Sequence, residues 1–104
     1  MEQYLKIPAK GKPVMIEVDE KHLLEEFRRH LDCENIETVA ITSRFGLIVD
    51  DEGKIKDPPK PFNAKATSLL GDFSSDWIAG DAIFFAYGYR NGEPDIVPAD
   101  GVFA

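Results

Sequence analysis

Val14-Met15-Ile16-Glu17-Val18-Asp19-Glu20-Lys21-His22-Leu23-Leu24-Glu25-Glu26-Phe27-Arg28-Arg29-His30-Leu31 changes its hydrophobic period halfway along. Val14, Ile16 and Val18 alternate with Met15 and Glu17, the period of a strand with one buried face. From Leu23 onward the apolar residues Leu23, Leu24, Phe27 and Leu31 recur at helical spacing, with Glu25, Glu26, Arg28 and Arg29 on the wet face. Asp19 stands at the junction. Its short carboxylate suits an N-cap, and Glu20 behind it suits the positive end of the helix dipole. The stretch predicts a strand and then a helix over Glu20 to Leu31. Pairs of Glu25 with Arg28 and Arg29 are expected to add tenths of a kcal/mol.

On either side the periodic segments are strands. Gln3 to Ile7 alternates and stops at Pro8, and a turn through Ala9-Lys10-Gly11-Lys12-Pro13 joins it to the quoted strand. Asp32-Cys33-Glu34-Asn35 breaks the helix. Ile36 to Ile41 and Phe45 to Val49 then form a hairpin around Thr42-Ser43-Arg44. Asp50-Asp51-Glu52-Gly53 is expected to be a solvated turn with Gly53 in a left-handed conformation, followed by a short return strand at Lys54-Ile55. Asp57-Pro58-Pro59-Lys60-Pro61 lacks backbone donors and is expected to be stiff and extended. A short helical turn is expected near Ala66 to Leu70, ended by Gly71. Ala82 to Tyr89 is the most apolar strand. Asn91-Gly92, where both residues tolerate positive φ, turns it back into Pro94 to Val97, which its prolines confine to an edge. The fold class is α+β: one domain over residues 1–104, a mainly antiparallel sheet built from hairpins, with one amphipathic helix packed on one face.

Composition narrows the function. With 19 acidic and 12 basic residues the net charge is −7, which repels phosphate backbones and anionic lipid, so direct nucleic-acid binding is disfavoured. A basic partner, or mimicry of nucleic acid, stays compatible with that sign. A single cysteine excludes a disulfide framework. No apolar run reaches the length of a membrane span, and Met1 to Lys12 has no signal-peptide core, so a cytoplasmic protein is expected.

The searches for catalytic chemistry return nothing. Cys33 follows a helix end between Asp32 and Glu34, where dipole and charge both raise a thiol pKa. His22, His30 and Cys33 do not complete a metal set, and Asp50-Asp51-Glu52 lacks the alternating ligands of a calcium loop. No phosphate-binding glycine motif is present. No cofactor is implied, and a non-enzyme is expected. Pro61-Phe62-Asn63-Ala64-Lys65-Ala66 remains: Asn63 both donates and accepts, and Lys65 brings positive charge to an acidic chain. Asn63 either ties down its own loop or faces a ligand. Tyr87 and Tyr89 share a strand face and either stack a ligand ring or pack as strand residues. Asn63, Lys65, Arg44 and Tyr87 are therefore the candidate ligand- or partner-contacting residues.

Ile16 to Asp19, Leu47 to Ile55, Pro61 to Asn63 and Ile78 to Phe84, in that order, resemble a family catalogued as a domain of unknown function. That family is widespread in phages, plasmids and other bacterial mobile elements. The resemblance spans Leu5 to Val97, and this chain is longer than the shorter members between Asn63 and Trp77. It supplies no catalytic residue. It implies a small protein that acts on host machinery or on host signalling molecules by binding. The leading expectation is thus a binding or regulatory module with a protein partner. A small-ligand binder using the Asn63 loop and an acidic nucleic-acid mimic are the alternatives.

Overall fold

The computed structural model describes residues 1–71 and 74–99. Its strands are β1 (Glu2–Ile7), β2 (Val14–Val18), β3 (Ile36–Ala40), β4 (Phe45–Asp50), β5 (Ala82–Arg90) and β6 (Glu93–Val97). They form one sheet in the order β2-β1-β5-β4-β3, with β6 also on β5, and every pairing is antiparallel. Ala86 stands between Phe45 and Val97. β6 therefore lies on the side of β5 away from β4, following on from β1, which pairs Ala82 to Phe84. The Asn91-Gly92 turn forms as expected, with φ of 54° and 81°. No helix among the described residues is long and apolar enough to cross a membrane.

The quoted stretch folds as its two periods dictate, with one change at the junction. Asp19 Oδ1 accepts from the N–H of Lys21, and Glu20–His22 forms a 3₁₀ turn before the helix α1 (Leu23–Leu31). The buried stripe of α1 is Phe27 and Leu31 with Leu23 beside them, while Leu24 is half exposed. The ion pair along the helix is Glu26 with Arg29 at 2.6 Å rather than a Glu25 pair. Asp32, with φ of 50°, ends the helix, and the N–H of Cys33 donates to Arg28 O.

Under α1 lies a core of Tyr4, Ile16, Val18, Phe27, Leu31, Ile48, Ile83 and Phe85. The Tyr4 and Phe27 rings meet edge-to-face at 5.0 Å. The opposite face of the sheet carries a second core of Ile7, Leu47, Val49, Ala66, Ile78, Ala82 and Phe84. Adjacent residues of β4 and β5 enter different cores, so these central strands read as unbroken apolar runs. The expectation of a helix on one face is thus half of the architecture. The second face is closed by residues 51–71 and 74–81, which contain the short helix α2 (Ala64–Ser68).

Two expectations for that segment fail. Lys54-Ile55 forms no return strand: Ile55 and Lys56 both donate to Glu52 O, and these turns leave Ile55 exposed. Gly53 is not left-handed. It is buried because the chain folds back on it. Lys60 N–H donates to Gly53 O at 2.9 Å, and a Cβ there would sit 3.1 Å from Ala79 O.

Candidate functional site

Asn63 is fully buried. Its Nδ2 donates to Ile7 O and to Gly80 O, both at 2.9 Å, and its Oδ1 accepts from the N–H of Ala66 at 3.0 Å, capping α2. Its backbone N–H donates to Ile78 O, and its own carbonyl accepts from Thr67. Both amide hydrogens and the amide oxygen are engaged within the fold, so the side chain offers no surface to a ligand. α2 begins two residues earlier than the helical turn expected at Ala66. The missed signal was the asparagine three residues before Ala66, an N-cap spacing. Lys65 is exposed and donates to Gly11 O at 3.1 Å.

Arg44 and Tyr87 do meet. Tyr87 N–H donates to Arg44 O at 2.9 Å, and both residues line an open cleft of about 230 Å³ with Phe45 and Pro98. The Arg44 guanidinium lies 5.7 Å from the Phe45 ring centre, and the Tyr87 ring packs against Phe85. Neither Asn63 nor Lys65 lines this cleft.

A larger cleft of about 750 Å³ opens between the end of α1 and the turn after β4. Its floor corrects the reading of Asp50 as a solvated turn residue. Asp50 is buried, with Oδ2 at 3.0 Å from Lys60 Nζ and also paired with Lys56. Its Oδ1 accepts from Glu52 N–H at 2.9 Å. Burial alone would raise its carboxyl pKa; the lysines and the Glu52 N–H outweigh that and hold it below the usual range. Lys60 also donates to Leu31 O at 2.6 Å, placing a cation on the negative end of α1. The Cys33 thiol, on the same wall, is pushed up first by burial and then by Asp50, against Lys60, Lys56 and Arg28. Arg28, Arg29 and Lys56 line it together with Glu25, Asp32, Glu34 and Glu52, so charges of both signs face the cleft.

The surface of the second face is different in kind. Trp77 and Phe62 remain 40% and 56% exposed although their ring centres lie 6.1 Å apart. Lys54 Nζ sits 4.8 Å from the Trp77 ring centre and 2.6 Å from Asp76 Oδ1, which also accepts from Trp77 N–H. The indole is therefore held by a cation on its face and a bond at its backbone. A small recess beside it is lined by Glu37, Val39, Asp51, Asp76 and Trp77. Partial burial raises the Glu37 carboxyl pKa, and Asp51 and Asp76 push it the same way against Lys54. Nothing in the sequence reading singled out Trp77 or Glu37, because their neighbours arrive from three separate segments.

A sequence model of a family described as a domain of unknown function (DUF3846) matches residues 1–99. No curated protein and no solved structure matches the chain.

Proposed function

The chain belongs to the DUF3846 family, a domain of unknown function, and from that premise we propose that it is a small, non-catalytic binding module that acts on a protein partner. Its setting in a phage or other mobile element is part of the same proposal and follows from the motif resemblance alone. The observation that carries the binding reading is the exposed pair Phe62 and Trp77. Large aromatics are enriched at the centres of protein interfaces, where they bring contact area at little rotamer cost. Here the tryptophan is already fixed by Lys54 and Asp76, so little ordering remains for binding.

The test is affinity capture from bacterial lysate with the wild type and with a Phe62→Ala/Trp77→Ala variant, both checked for equal thermal unfolding. A protein retained by the wild type and lost with the variant supports the reading. Equal retention, or no retained protein across several hosts, overturns it.

A further inference from the structure

Among the described residues, β3 has a strand on one side only. Its pairing with β4 runs Ile36↔Asp50 through Ala40↔Gly46. Asn35 O accepts from Asp51 N–H, and Ile41 N–H donates to Phe45 O, so the odd-numbered residues aim their backbone groups at β4. By the period of two, Ile36, Thr38 and Ala40 aim theirs outward. Those groups have no partner among the described residues, and Thr38 and Ala40 are exposed. A strand edge of this kind is a template for an added strand.

The side chains beside the edge define what fits it. Glu37 and Val39 pair with Val49 and Leu47, so they lie on the second face, where the recess adjoins Trp77. Glu37, Asp51 and Asp76 crowd there around the single cation Lys54. We infer that the open edge of β3 accepts an extended segment of a protein partner that carries Arg or Lys at alternate positions. Its backbone pairs with Ile36, Thr38 and Ala40, and its cationic side chains lie toward Glu37 and across Trp77. This inference deepens the protein-binding reading and rests on it. Arginine fits best, because a guanidinium both pairs with carboxylates and stacks on an indole. A second copy of the chain fits poorly: it brings a net charge of −7 and the same acidic patch to the same edge. The competing explanation is that Glu37 serves only to keep the edge from self-pairing.

The test uses the full chain, isotope-labelled, and a short capped peptide in which Arg alternates with Val or Thr. A matched peptide with Glu in place of Arg is the control. Binding of the Arg peptide should slow hydrogen exchange at the Ile36, Thr38 and Ala40 amides and shift the Trp77 indole N–H. It should weaken as salt rises, and at least tenfold in Glu37→Lys. The Glu peptide should do none of this. Absence of binding by the Arg peptide, protection elsewhere, or equal affinity in Glu37→Lys overturns the inference. Self-association of Glu37→Lys without peptide binding by the wild type assigns Glu37 to edge protection alone. A captured protein that depends on Phe62 and Trp77 but leaves the three amides unprotected sinks this inference and leaves the protein-binding reading standing.

Discussion

The two faces of the sheet are closed by different means. On one, α1 lays Phe27 and Leu31 onto Tyr4, Ile48 and Phe85, and its backbone satisfies itself through the helix. On the other, residues 51–71 and 74–81 pass over Leu47, Val49 and Phe84 mostly without regular structure. Their backbone groups need separate partners, and many find them through Asn63, Gly53, Lys60 and Thr67. A regular cover is secured by apolar area. An irregular cover is secured by a few polar side chains, the buried Asn63 and the partly buried Lys60 and Thr67, whose loss is felt locally.

Three substitutions would break or sharpen that contrast. The largest effect is expected from Phe27→Ala, which empties a fully buried site against Tyr4 and should cost about 3–5 kcal/mol in urea unfolding. The loss should be global, with exchange accelerated in the core strands on both faces. Loss confined to α1 would show that the faces are independent.

Asn63→Ala follows. It leaves Ile7 O, Gly80 O and the N–H of Ala66 without their side-chain partner, at about 2–3 kcal/mol if water relieves part of the cost. Exchange should speed up at Ala66 and Thr67 while the α1 amides keep their protection. A variant as stable as the wild type would refute the claim that this amide pins the cover.

The smallest effect should have the opposite sign. The folded-state pKa of Glu37 is raised, so its stabilising contribution is present below the unfolded value and is lost as pH rises through the folded value. Glu37→Gln removes that loss. It should gain a few tenths of a kcal/mol at neutral pH after solvent screening, and the gain should vanish below about pH 4, where the native carboxyl is protonated. A destabilised Gln variant at neutral pH would mean that Lys54 outweighs Asp51 and Asp76. A gain would mark the acidic crowding as a cost kept for something other than stability.

Much of the first face could be read in advance. α1, the Asp19 cap of the 3₁₀ turn that leads into it, the β3–β4 hairpin and the Asn91-Gly92 turn depend on residues at most a few positions apart. Leu24 fits the stripe by spacing, yet it sits in the first turn of α1 and is left half exposed. The second face could not be read in this way. The local tie of Asn63 to its own loop, the bond from Ala66 N–H, is legible, but its acceptors Ile7 and Gly80 are not, because they lie 56 and 17 residues away. Asp50 looked solvated because Lys60 reaches it only after the chain has doubled back over Gly53.

By itself the sequence determined most of the elements, with their periods and turn residues, and a net negative charge. These follow from local sterics, helix and strand periodicity, and summed charge. Only the tertiary structure decided that β1 docks against β5, that the second face is covered as well, and that Asn63 holds that cover from inside. It alone set Glu37 beside Asp51, Asp76 and Trp77 on an open strand edge. Hydrogen bonding and Coulomb forces act through space, so the partners of a buried amide or a crowded carboxylate exist only once the sheet order has brought distant segments together.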